Sequence, residues 1–300
     1  MTENRIPLAA FLIVIYAVII GFTDNFVRVI AEEAGLWQFH ATRSAMALVI
    51  LGLASVALGL RLRPVNLSAV VARSLVHGLA MMIYFGALAF LPVAVVAAGL
   101  FTAPIFVLLI SRFAYAEAVG LWGMVAVALG FAGAVLVLGP EAWAGASLAA
   151  LLPVIAGAMY ALGNVATRKW CPQESAETLL AGFFAALGVI GLIGMAGLTL
   201  FPMVAVPGPE GFLQRGPVWP GGAVWFWVFV QAAGSLVAVG MMVRAYQLAD
   251  ATRVSVFEYV ILPASALWSW GIWGEVLTPL SVAGMALIVA AGVMIAVSRR

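Results

Sequence analysis

Glu258 is the only charge on a stripe formed by Ser255, Glu258, Leu262, Ser265 and Ser269, within the apolar stretch DATRVSVFEYVILPASALWSWGIW (Asp250–Trp273). An ionisable group deep in hydrocarbon costs about 2.5–3.5 kcal/mol on insertion scales, so it persists only where it is paired, wetted or used. A carboxyl there can carry a proton or anchor an ammonium group; pairing with Arg253 or Arg244 is the structural alternative. Arg73, His77 and Tyr84 stand at i, i+4 and i+11, close to one helical face. Tyr84 is read as cavity-lining, His77 as either lining or packing, and Arg73 as snorkelling to the membrane surface. Asp24 and Arg28 are four residues apart and are expected to pair, with Arg43 joining them, and His40 is expected at the interface. Tyr160 with Asn164, and Gln231 with Ser235, each share a helix face and can join helices or meet a ligand. Phe101, Tyr259 and Trp268 lie deep enough to wall a pocket or simply to pack.

The candidate binding residues are therefore His77, Tyr84, Phe101, Tyr160, Asn164, Gln231, Glu258, Tyr259, Ser265 and Trp268. Catalytic chemistry finds little support. The two histidines are 37 residues apart, and no HExxH, no GxSxG and no paired intramembrane aspartates accompany them. The single Cys171 gives neither a disulfide framework nor a zinc pattern. We expect no enzyme activity, no cofactor and no metal.

These residues need a membrane to position them. Of 300 residues, 65% are hydrophobic and 9% charged, against about 25% charged in soluble domains. Lipid must be the main solvent. The net charge of +2 is too small to suggest a nucleic-acid partner. The apolar run from Ile6 to about Ile30 is too long for a cleavable leader. A crossing needs roughly 20 apolar residues. Ten stretches qualify: about 8–30, 38–60, 68–90, 92–113, 118–138, 147–167, 178–200, 222–247, 252–273 and 278–297. Phe201–Gly222, with Pro202, Pro207, Pro209 and Pro217, reads as a loop.

Pro104 and Pro263 lie at the centres of the fourth and ninth stretches, 159 residues apart. Gly133 and Gly292 each follow their proline by 29 residues, and Glu117 and Glu275 follow at nearly matching distances. The chain thus reads as two related halves, 1–143 and 144–300. With the N-terminus in the cytoplasm, eleven of the fourteen basic residues fall at that face, Arg28, Arg43 and Arg215 being the exceptions. That asymmetry satisfies the positive-inside rule and puts both termini in the cytoplasm. Five spans per half make the repeats inverted, as in many transporters. A proline at the matched place of each half permits a kink, so both are candidate hinges. Glycines at 188, 191, 194 and 197, and at 130 and 133, are expected to pack helices closely.

The units LPVAVVAAGLFTAPIFV and ADATRVSVFEYVILPASALW, each followed by a glutamate, and the opening GFTDNFVRV together resemble the EamA family of the drug/metabolite transporter superfamily. Within it the chain resembles the YddG-type exporters of aromatic and other hydrophobic amino acids. The resemblance implies an all-α integral membrane basket around a central cavity, with the fifth and tenth helices peripheral. The matched kinks provide a way to open alternately to either side, and a monomer in a bacterial inner membrane is expected. The cavity is expected among spans one, three, four, six, eight and nine. A phosphorylated sugar as cargo is disfavoured because no Arg or Lys lies clearly at the midplane; a channel and a membrane enzyme are the remaining alternatives.

Overall fold

The computed structural model describes residues 5–87, 91, 93–139 and 148–297. The expected ends of the third and fourth spans at 88–90 and 92, the start of the sixth at 147, Arg299, Arg300 and the division between 143 and 144 lie outside them.

The described residues form helices α1 (Ile6–Asp24), α2 (Val27–Glu33), α3 (Leu36–Leu58), α4 (Leu67–Ala87), α5 (Val93–Leu100), α6 (Ala103–Ala114), α7 (Leu121–Leu138) and α8 (Leu151–Lys169). These are followed by α9 (Ala176–Leu200), α10 (Gly222–Leu248), α11 (Ala251–Glu258), α12 (Ile261–Trp273) and α13 (Pro279–Val297). Nine stretches among the described residues are long and apolar enough to cross a bilayer. The tenth expected crossing is α11 and α12, which together cover the predicted ninth span but are too short singly.

The break has a physical cause. α11 stops at Glu258 and α12 starts at Ile261, with 3₁₀-type bonds from Val260 N–H to Phe257 O (3.1 Å) and Leu262 N–H to Tyr259 O (3.1 Å). α5 and α6 part in the matching place, where Thr102 caps Gly99 O through its N–H (3.2 Å) and its hydroxyl (2.6 Å). Pro104 is the second residue of α6 and Pro263 the third of α12. In a first turn the proline's missing N–H leaves no intrahelical bond unmade. The expected kink within a continuous helix is thus corrected: each proline opens a second half-helix.

Packing follows one rule. α4 packs on α8 as α10 packs on α1, and α5 and α6 pack on α8 as α12 and α11 pack on α1. α4 on α9 is matched by α10 on α3, and α3–α9 and α7–α13 pair element with counterpart, while α6 packs on α11, the counterpart of α5. Exchanging first-half and second-half helices preserves the matched pairs, and the α6–α11 packing is where the two halves depart from that exchange. α7 and α13 pack chiefly on each other. A Cβ on Gly133 would lie 2.7 Å from the Gly284 carbonyl oxygen, so the backbones touch. Gly292, the sequence counterpart of Gly133, instead faces the Phe257 ring. Of the four spaced glycines on α9, Gly188, Gly191 and Gly194 press on α3 while Gly197 meets nothing within 4 Å. Large apolar side chains such as Val56, Trp122, Ile193 and Val293 are exposed around the outside, as a lipid-facing surface requires.

The two ends of the bundle differ. At the end bearing residue 5, Arg168 pairs with Asp250 (2.9 Å), Lys169 with Glu117, and the Trp170 indole N–H donates to the Tyr115 hydroxyl (2.8 Å). There too the Glu174 carboxylate accepts from the Val65 and Asn66 N–H groups at 2.6–3.0 Å. At the other end the loop between α9 and α10 folds over α2. Arg215 donates to the carbonyls of Ala31 (2.6 Å), Ala34 (3.1 Å) and Gly208 (2.6 Å), and Gln38 exchanges two hydrogen bonds with Val218.

Candidate functional site

A cavity of about 700 Å³ lies between the two sets of helices. It ends at Arg73, His77, Tyr160 and Glu258 on one side and reaches the exposed Arg28 and Glu275 on the other. Its walls between are apolar and aromatic, including Met81, Phe85, Phe101, Phe183, Val239 and Leu262. As expected, spans one, three, four, six, eight and nine contribute; Arg43 on α3, Phe183 on α9 and the end of α7 join them.

The closed end is built around the last residue of α11. Glu258 Oε1 accepts from Asn164 Nδ2 (3.2 Å) and from the Tyr160 hydroxyl (3.3 Å), and Tyr246 bonds the same carboxylate. The Tyr160 hydroxyl can instead donate to Met242 Sδ (2.9 Å), and the Tyr16 hydroxyl stands 3.3 Å from it. Asn164 Nδ2 also donates to the Tyr246 hydroxyl (3.1 Å), which leaves its Oδ1 to accept from His77 Nε2–H at 2.9 Å. One helix turn below His77, the Arg73 Nε donates to Thr167 Oγ1 (3.0 Å) and Nη1 to Leu179 O (3.2 Å), while its Nη2 has no partner among the described residues. Arg73 is 1% exposed. The snorkelling expectation is therefore corrected: the side chain is drawn inward by two acceptors that α8 and α9 supply.

A second polar group lies nearer the open end. Asp24 Oδ1 accepts from Gln231 Nε2 at 2.7 Å and interacts electrostatically with Arg43. Arg43 is buried, lines the cavity, and has no partner for its Nε among the described residues. His40, one turn before it on α3, is 0% exposed and packs edge-on against Phe85 at 5.0 Å. It is a core residue, not an interfacial one, because the preceding residues of α3 are themselves covered by the loop that Gln38 ties down. The expected Asp24–Arg28 pair is also corrected. The turn at Asn25–Phe26, fixed by Asn25 Nδ2 donating to Gly21 O (2.6 Å) and Ser265 O (3.3 Å), rotates Arg28 away. Arg28 instead bonds Glu275 at 3.0 Å and stacks 3.9 Å above the Trp273 ring.

That outer pair should respond to acid in a defined direction. The Ser269 hydroxyl and then Arg28 hold the Glu275 carboxyl below the usual carboxylate range. A lowered folded-state pKa contributes stability above the unfolded value, near 4.3 for Glu, and loses it as pH falls through the folded value. Arg28→Gln should therefore unfold slightly earlier than the parent at pH 7, by at most about 1 kcal/mol for so exposed a pair. The two melting curves should converge as the pH falls below the usual carboxylate range.

The structure brings His77, Tyr84, Phe101, Tyr160, Glu258, Ser265 and Pro104 onto one cavity. Asn164 and Gln231 stand behind the wall, each bonded to an acid that lines it. Tyr259 and Trp268 do not reach it. Tyr259 is turned against Gly130 and Phe101 by the α11–α12 break, and Trp268 lies on the outer face, its indole N–H donating to Val18 O at 3.0 Å. Pro263 is buried without lining the cavity. Sequence reasoning missed Tyr16, Tyr246 and the depth of Arg43 and Arg73. The i, i+4 spacing of Arg73 and His77 was the available signal, since one helix face cannot both snorkel and line a cavity.

Residues 7–139 match the EamA-like transporter family. Over that segment, somewhat under half of its length, the chain is similar to that family. Over 295 residues, 95% of each chain, it is 26% identical to the pseudopaline exporter CntI of Pseudomonas aeruginosa. It is 30% identical over 211 residues to a riboflavin transporter of Rhizobium johnstonii, covering 69% of this chain and 63% of that one. A solved crystal structure superposes with a TM-score of 0.77 over 95% of both chains at 20% identity, which shows the fold. These similarities support a multi-pass membrane transporter, and the aromatic cavity is the place where a cargo must be sought.

Proposed function

We propose that this protein, as its EamA-like segment suggests, exports small zwitterionic, partly apolar metabolites, aromatic and other hydrophobic amino acids foremost, by alternating access. The observation that carries this reading is the charge of the cavity wall. Arg28, Arg43 and Arg73 are balanced there by Asp24, Glu258 and Glu275, with aromatic and aliphatic surface between. A balanced wall favours a cargo with both charges and no net charge. A phosphorylated sugar would need cations in excess. The buried Arg43 and Arg73 remove the earlier objection that no cation lies deep, and the matching acids supply a better one. The relatives, named as an exporter and as transporters, support carriage over catalysis. The volume suits a drug-sized molecule.

In this reading the ammonium group meets Glu258 and the carboxylate meets Arg73. The half-helix breaks beside Pro104 and Pro263 are the moving parts of the two repeats, residues 1–143 and 144–300. The protein works as a monomer in the bacterial inner membrane with both termini cytoplasmic, and the state described here opens away from the cytoplasm. The test is flux of labelled L-phenylalanine into proteoliposomes. Uptake should saturate and be accelerated by unlabelled phenylalanine inside. An unsaturable conductance would indicate a channel, and no flux of any amino acid in a labelled panel would overturn the proposal.

A further inference from the structure

The two polar groups on the cavity have the same composition. At the closed end stand an arginine, a histidine, a carboxamide and a carboxylate: Arg73, His77, Asn164 and Glu258. At the open end the same four types recur: Arg43 and Asp24 line the cavity, Gln231 stands behind its wall, and His40 lies in the core one turn before Arg43. In each set the histidine is within one helical turn of the arginine, and the carboxylate accepts from the carboxamide, at 3.2 Å for Glu258 and 2.7 Å for Asp24. Each arginine is nine-tenths buried or more, lines the cavity, and keeps one N–H without a partner among the described residues. Helix α1 measures the separation. Tyr16 reaches the Glu258 group through Tyr160, and Asp24 lies eight residues on. At 1.5 Å per residue that is about 12 Å. Met81, Phe85 and Val239 line the space between.

We propose that the cavity holds its cargo at two poles, so that its preferred substrates carry an amino-acid head at each end of an apolar spacer. This rests on the zwitterion reading above and extends it. A single amino acid satisfies one pole and leaves the free guanidinium N–H of the other, already desolvated, without an acceptor. A two-headed molecule satisfies both. The pole composition, not the aromatic wall, then sets specificity, and the wall sets the length of spacer that fits.

The test is a titration of the detergent-purified full chain by isothermal calorimetry. The probes are L-phenylalanine and three compounds with two amino-acid heads: 2,6-diaminopimelate, 2,7-diaminosuberate and 2,9-diaminosebacate. Affinity should rise along the diamino series and exceed that for phenylalanine by at least about tenfold at the best length, the effect of one added charged hydrogen-bonding group. In Asp24→Asn, which keeps the acceptor for Gln231, and in Arg43→Gln, the two classes of probe should converge in affinity. Equal binding of phenylalanine and every diamino compound by the parent overturns the two-pole proposal and leaves the zwitterion reading standing. A length preference that survives both variants overturns the assignment of the outer pole. Binding of none of the four probes overturns both readings.

Discussion

Glu258→Gln lowers transport of amine-bearing cargo by about 30-fold or more and leaves the protein at least as stable as its parent. Both halves of that expectation come from the same geometry. The carboxylate accepts hydrogen bonds from Asn164, Tyr160 and Tyr246, and a glutamine oxygen can accept from the same donors. Asn164 and Tyr160 both use Oε1, so the one amide oxygen can serve them, and the fold sheds a charge whose burial in the bilayer costs about 2.5–3.5 kcal/mol. What is lost is the only carboxylate at the closed end of the cavity among the described residues. Removing one member of a buried hydrogen-bonded charge pair costs about 2–5 kcal/mol, and the lower limit is about 30-fold. Initial rates in proteoliposomes, read beside melting temperature in detergent, separate the two effects. A variant that melts earlier and transports normally would show that Glu258 serves the fold. A proton-carrying role is distinguished by an imposed pH gradient, which should change flux in the parent and not in Glu258→Gln.

The fold was legible because its signals are long. An apolar stretch of bilayer length is readable without knowing its neighbours, and the offset shared by Pro104 and Pro263 marks both half-helix breaks. The predicted crossings all find helices in the described residues, and the first, fourth and ninth differ in being two pieces each. Glu258 was legible for the same reason: a lone charge on a serine stripe in hydrocarbon is conspicuous. The site residues that were misplaced depend on partners far away in the chain. Arg73 turns inward because Thr167 and Leu179 offer it acceptors, and nothing near residue 73 announces them. Arg28 abandons Asp24 because Asn25 breaks the helix between them, so i, i+4 spacing no longer places both on one face. Trp268 and Tyr259 follow from the break in the ninth span, which resets the direction in which α12 faces.

Gly163→Ala should damage transport although alanine is the better helix former. Gly163 sits within α8, where replacing glycine by alanine ordinarily favours the helix by about 1 kcal/mol. Here a Cβ would lie 2.6 Å from His77 Nδ1 and 2.7 Å from two ring carbons. The imidazole is rigid, and its Nε2 is bound to Asn164 at 2.9 Å. The ring must move, and when it moves Asn164 loses the contact that fixes its amide toward Glu258. Overpacking of this kind costs about 1–3 kcal/mol, and the displaced Asn164 should reduce transport by about tenfold or more, as a single lost buried hydrogen bond to a charged group does. Gly197→Ala is the control, because no described residue lies within 4 Å of a Cβ there, and it should be neutral or slightly stabilising. The pair Gly163→Ala with His77→Ala removes the clash. It should recover the melting temperature of His77→Ala alone, with a coupling of about 0.5–3 kcal/mol, while transport stays low because the Asn164 amide has lost its partner. If Gly163→Ala transports and melts like the parent, α8 does not press on His77, and the account of how the closed end is held together fails with it.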